Sequence, residues 1–211
     1  MQDGCVNSLR TGVVATLATA TRLVHEKPTR ALWAEPSVLP GLTIGGLVAH
    51  LVRGAGAITA FLDRSPEGGT GPLVDAAAYY DHATSAPVGQ RIVDRSEAEA
   101  AAGYDAIVGE LDALGPRLAT RLDAEPADRS VDARGRTLTL DDFCRTRLVE
   151  LSVHIADLAL GIGRPVPELP AGVADQVMHL LLTLARRRHG DAAVIDALTR
   201  RERAGTVFPV L

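Results

Sequence analysis

Aromatic residues are scarce in this chain, at 3% of 211 residues. Such a core must be filled by Leu, Val and Ala, which suits close-packed helices and argues against a β-sandwich, where β-branched and aromatic residues dominate. Cysteine is nearly absent as well: there are 2, Cys5 and Cys144, far apart and in no metal-type spacing. A disulfide framework and a cysteine zinc site are both excluded by that spacing, and a reducing compartment is expected. Excess positive charge is missing, with a net charge of −4, so no general nucleic-acid partner is expected. No run approaches the roughly 20 apolar residues of a membrane span. The N-terminus, "MQDGCVNSLR", lacks a charged segment followed by an apolar one, so no signal peptide is expected. These absences lead to the expectation of a cytoplasmic protein with no membrane and no nucleic-acid partner.

What remains is 46% hydrophobic, enough for a sizeable core in one domain of ordinary size. The spacing predicts a first helix over about 4–25, with Leu9, Val13, Leu17, Ala20 and Val24 on one face. A Pro-rich connection holding Trp33 follows. Thr43 then caps a second helix over about 44–62. "LVDAAAYYDHA" reads as a short helical or extended segment and "TSAPVGQ" as a loop. Ser96 with Glu99 forms a capping-box pattern that opens a third helix over about 97–122, kinked at Gly115–Pro116. Thr139 with Asp142 repeats the pattern and opens a fourth helix over about 140–160, ended by Gly161. Two further helices, about 171–188 and 192–200, complete an all-α chain: a helical bundle over 1–165 with a C-terminal helical extension over 166–211.

The chemistry concentrates on two of these helices. On a wheel at about 100° per residue, with Glu150 at zero, His154 falls near +40°, Asp157 near −20° and Arg147 near −60°, in a polar seam shared with Phe143. Leu148, Leu151, Ile155 and Leu158 flank it on one side, and Val149, Val153 and Leu160 on the other. Arg145 and Ser152 form the outer face. A solvated face would stand opposite the apolar stripe, whereas this seam lies between apolar flanks and points into the bundle. A carboxylate and an imidazole there need partners. A divalent metal is one solution and an internal Arg147–Glu150 ion pair is another.

His50, in the middle of the apolar face of the second helix, supplies a third donor. Glycines at 45, 46, 54 and 56 would let neighbouring backbones approach it. His50, Glu150 and His154 together make three ligands with open positions, the pattern of a catalytic metal site. Nitrogen and carboxylate donors suit zinc best, with Fe²⁺, Ni²⁺ or Mn²⁺ as alternatives. Arg147 and Asp157 are the candidate catalytic residues, one to bind an anionic substrate group, the other to orient an imidazole. Tyr79 and Tyr80 are candidates to line the mouth and contact a cofactor, against a plain role as core filling. His82 reads as a surface loop residue and His179, among leucines, as packing or a helix pair. The cluster Arg186, Arg187, Arg188, Arg200, Arg201 and Arg203 reads as a solvated face at helix C-termini. Cys144 lies about 120° from Glu150 and is not counted as a ligand.

"LTIGGLVAHL", preceded by Trp33 and a Pro-rich link, and "TLTLDDFCRTRLVELSVHIADLA" resemble the two metal helices of the mycothiol-dependent maleylpyruvate isomerase family, within the DinB-like superfamily of four-helix bundles. "LARRRHGDAAVIDALTRRERA" is similar to the C-terminal region of several members. The resemblance implies a DinB-like four-helix bundle holding a divalent metal, usually zinc (Zn) in the family, on His50, Glu150 and His154. It implies mycothiol as thiol co-substrate, presented as a thiolate to a small electrophile, in an S-transferase or an isomerase. Lys27 as the only lysine, beside many alanines and glycines, suits a GC-rich genome such as an actinobacterial one. The isomerase carries a separate C-terminal domain that contributes to its site. Here the residues after His154 read as helices alone, which points to another electrophile. The alternatives are a thiol-independent metal-dependent hydrolase, isomerase or cyclase on the same fold, and a non-catalytic binding or regulatory bundle. A homodimer through exposed helix faces is compatible with either.

Overall fold

The computed structural model describes residues 3–65, 67–83, 86–200, 202, 207–208 and 210, excepting the side chains of 3–8, 81–83 and 86–88. The elements in chain order are α1 (Asp3–Val24), α2 (Lys27–Ala31), α3 (Ile44–Arg64), α4 (Ala76–Ala83), α5 (Ala86–Ala100), α6 (Tyr104–Ala124), β1 (Ser130–Asp132), β2 (Thr137–Thr139), α7 (Leu140–Gly161), α8 (Val173–His189) and α9 (Asp191–Thr199).

Four long helices form the bundle: α1 packs on α6 and α7, and α3 packs on the same two. The apolar face predicted for the first helix is the one buried, with Leu9, Val13, Leu17, Ala20 and Val24 all in the core. Helix α3 is long and apolar enough by composition to cross a membrane. Its apolar residues, Ile44, Leu47, Leu51, Ile58 and Leu62 among them, are instead spent on this core. Strands β1 and β2 pair antiparallel, Val131 opposite Leu138, where the sequence suggested only an extended piece. Helix α8 docks outside the bundle on α7, α1 and α4.

Both threonine caps are as the sequence predicts. Thr43 Oγ1 accepts from Gly46 N at 2.9 Å and Thr139 Oγ1 from Asp142 N at 3.0 Å. The Ser96 cap is not. Ser96 lies inside α5, its hydroxyl donating back to Ile92 O at 2.7 Å, the alternative use of a short hydroxyl in a helix. The predicted third helix is therefore two, and the break falls at Gly103, whose φ of 88° cannot continue a helix. Part of the predicted loop "TSAPVGQ" belongs to α5. Pro116 is accommodated within α6. Helix α7 does end at Gly161, but not through a left-handed glycine there: the positive φ is at Gly163, and Gly161 is the last helical residue, where a Cβ would come within 2.8 Å of Ile44 Cδ1.

The close approaches expected at four glycines of α3 occur at two, and to side chains. A Cβ at Gly45 would sit 2.6 Å from the Trp33 indole, and one at Gly46 would collide with the Glu97 carboxylate. Gly54 has nothing near it, and Gly56 only Leu114 at 3.9 Å. On α7 the outer face is also corrected: Ser152 is buried, while Val153 and Leu160 are exposed.

Candidate metal centre

Helices α3 and α7 run antiparallel, with Phe61 against Phe143 at one level (ring centroids 5.1 Å apart) and His50 against His154 at another (4.7 Å). This places three donors together from two elements. His50 Nε2 and His154 Nε2 each lie 3.8 Å from Glu150 Oε2, and one ligand atom from each residue falls within 4.8 Å of the others.

Each member is held from behind. Tyr80, on α4, donates to Thr146 O at 3.1 Å and to Glu150 Oε1 at 3.3 Å, so Oε2 is the oxygen turned to the imidazoles. His154 Nδ1 lies 3.0 Å from Asp157 Oδ2. With the Nδ1 proton given to Asp157, Nε2 faces Glu150: protonated, it donates to the carboxylate, and once deprotonated it would offer its lone pair in the arrangement of a metal-ligating histidine. His50 Nδ1 accepts from Arg53 Nη2 at 2.9 Å, and Arg53 also donates to Ser96 Oγ and Glu99. A guanidinium cannot accept, so the proton of neutral His50 sits on Nε2. Loading that nitrogen requires Arg53 to withdraw onto Ser96 and Glu99, which it already touches.

The donors fit a divalent ion. Two bonds of about 2.0–2.1 Å at a tetrahedral angle separate their donor atoms by about 3.4 Å, so the two 3.8 Å separations from Glu150 close with shifts of a few tenths of an ångström. The two imidazole nitrogens, within 4.8 Å of each other, would have to draw further together. Electrostatics agree. Burial would raise the Glu150 pKa, but hydrogen bonds from His154 and His50 hold it well below the usual carboxylate range. Burial would lower that of His154, but hydrogen bonds to Asp157 and Glu150 bring it up to about 9. His50 is pushed down, mainly by burial. Cys144, by contrast, is buried away from the centre and burial pushes its thiol up to about 12, so it is inert at neutral pH.

His50 and Glu150 of the triad line a cleft of about 1490 Å³, together with Arg53, Tyr79, Tyr80 and Arg147. The Arg147–Glu150 ion pair that offered an alternative to metal is not formed. Arg147 Nε donates to Thr146 Oγ1 at 3.1 Å and its guanidinium lies 5.2 Å from the Phe143 ring centroid, with no carboxylate of the described residues in ion-pair range. Tyr79 and Tyr80 both border the cleft, yet both are buried. His179 is exposed on α8, not packed among leucines. Arg186 and Arg187 pair with Asp191 and Asp75, and Arg188 donates to Val210 O. The side chains of Cys5 and His82, and residues Arg201 and Arg203, lie outside the described residues. The sequence reading missed Arg53 and its partners Ser96 and Glu99. Arg53 stands three residues from His50, on the same helix face, which was the available signal.

Fold and centre define a class: a four-helix bundle carrying a His–Glu–His set of metal-type donors at the base of an open cleft. The family model described as the mycothiol maleylpyruvate isomerase N-terminal domain matches residues 14–159, which takes in all three donors. The chain belongs to that family. Neither a curated protein nor a solved structure matches it.

Proposed function

We propose that the protein is a metal-dependent, thiol-using enzyme that adds mycothiol to a small electrophile, as an S-transferase or as an isomerase that returns the thiol. The observation that carries this reading is the convergence of His50, Glu150 and His154, two of which line a cleft large enough for two ligands. The family description supplies the thiol. Zinc is the metal that two imidazoles and one carboxylate suit best. Bound there, it would lower the pKa of a thiol and hold it as the nucleophile.

The chain's own groups take the remaining roles. His50, Glu150 and His154 hold the ion. Asp157 fixes the tautomer and orientation of His154, and Tyr80 fixes Glu150. Arg147, beside the triad and without a carboxylate partner, binds an anionic group of the electrophile. Tyr79 shapes the mouth.

The test is turnover with zinc-loaded protein, mycothiol and a panel of conjugated electrophiles, followed by mass spectrometry. A stable thiol adduct identifies a transferase, and an isomerised product with thiol recovered identifies an isomerase. Consumption of an electrophile at the same rate without thiol would overturn the reading in favour of a metal-dependent hydrolase or cyclase.

A further inference from the structure

The cleft does not end at the triad. It runs down α3 from His50 to the loop after Arg64, fourteen residues and so roughly 20 Å along the helix. Its floor there is low: Gly56 and Ala60 border it, and a Cβ at Gly56 would meet nothing nearer than Leu114. At the far end three arginines from three elements line it: Arg64 on α3, Arg117 on α6 and Arg134 on the turn between β1 and β2.

Among the described residues, none of the three has a carboxylate in ion-pair range. Arg64 Nε donates to Ala60 O at 3.0 Å while its guanidinium lies 4.3 Å from the Phe61 ring centroid. Arg117 Nε donates to Ala113 O at 3.1 Å. The terminal nitrogens of both remain available. The acids nearby are occupied or displaced. Asp63 pairs with Arg121, and Asp132 accepts from Gly135 N at 2.8 Å. Glu110 precedes Arg117 by seven residues on α6, about 10 Å towards the triad. Glu67 is the carboxylate left at that end among the described residues.

Arg134 carries a further mark. Its φ is 62° and that of Gly135 is 78°, the pair of positive values required by the tight turn of a two-residue hairpin. Asn, Asp or Gly take the first of these positions readily, whereas arginine adopts it under strain. The strained residue sits on the cleft lip, in a hairpin pinned to the end of α3 by Asp132 N to Ser65 Oγ (3.0 Å) and by Arg129 to Leu62 O and Ser65 O.

We infer that Arg64, Arg117 and Arg134 form an anion-binding subsite at the end of the cleft opposite the triad. The ligand that fills it is elongated and carries a phosphate or carboxylate group remote from its reacting end. That the reacting end lies at the triad rests on the function proposed above; the subsite itself does not need a metal.

The test is therefore made on full-length, chelator-treated protein by calorimetry, with inorganic pyrophosphate and with citrate as separate probes. Wild type is expected to bind at least one of them, and the tighter of the two assigns the phosphate or the carboxylate source. Arg134→Asn, which relieves the turn and keeps or raises Tm, is expected to weaken binding at least tenfold, and Arg64→Gln/Arg117→Gln to do the same. His50→Ala is expected to bind as wild type does, which separates this inference from the metal reading. Absence of binding by either probe, or binding unchanged in Arg134→Asn, would overturn it.

Discussion

Glu150 is held at one oxygen by Tyr80 and turns the other to both imidazoles. Tyr80→Phe removes the donor without changing the packing of a buried ring. Metal affinity is then expected to fall about 10–100-fold with the far-ultraviolet circular dichroism unchanged, as measured by competition with a zinc chelator. An unchanged affinity would show that Tyr80 only fills space. His154 sets the pH behaviour. Its folded-state pKa of about 9 stands above the ordinary histidine value of about 6.5. The stabilisation it gives the metal-free protein is therefore complete below pH 6.5 and lost as pH rises through 9. Metal needs the deprotonated ring, so zinc binding tightens with pH over that window and releases a proton. Melting curves in chelator and zinc titrations between pH 6 and 9.5 check both signs.

The elements carry the next layer, and here the sequence was legible in part. Thr43 and Thr139 were readable because a hydroxyl three residues before a free N–H is a local pattern. Ser96 showed the same spacing, but its hydroxyl had a competing local acceptor in Ile92 O, and only the tertiary position of α5 decides between them. Besides Arg53, α5 is tied to the start of α3 by Glu97, whose carboxylate accepts from Thr43 N at 2.8 Å and from Thr43 Oγ1 at 3.0 Å across 54 residues of sequence. No periodicity announces that contact, and the neighbouring Gly46 is a glycine because of it. Gly46→Ala is expected to destabilise the protein by about 1–3 kcal/mol through the loss of this half-buried, charge-assisted contact. Gly54→Ala, with open space around it, is expected to be neutral or stabilising by up to about 1 kcal/mol. Denaturant unfolding of the two variants distinguishes a packing glycine from a cleft glycine. Equal effects would contradict the assignment.

At the scale of the molecule, the triad was legible because two helical periodicities each placed a polar residue on a buried face, and the family resemblance joined them. The cleft was not legible. Its walls come from α4, α5, α6 and the hairpin as well as α3 and α7, and helix wheels say nothing about how such elements assemble. Arg10 illustrates the point. It is buried on α1 and ties three elements together, by Nε to Asp141 at 3.1 Å, by Nη1 to Leu122 O and Glu125 O at 3.1 and 2.5 Å, and by Nη2 to Pro126 O at 2.9 Å. It satisfies carbonyls at the C-terminus of α6 that the helix cannot. Arg10→Ala leaves Asp141 and those carbonyls without a partner and is expected to cost about 3–5 kcal/mol, seen as a single cooperative transition at lower denaturant. A cost below 1 kcal/mol would mean that water replaces it.

The central claim is that His50, Glu150 and His154 hold a divalent metal. It is tested most directly by elemental analysis of protein purified without chelator and then equilibrated with zinc, beside His50→Ala under the same conditions. The account predicts about one divalent ion per chain in the wild type, as expected for a three-ligand site, and loss of that ion in His50→Ala while its helical signal is kept. A folded wild-type protein that holds no metal after equilibration, or a His50→Ala variant that holds as much as the wild type, would contradict it.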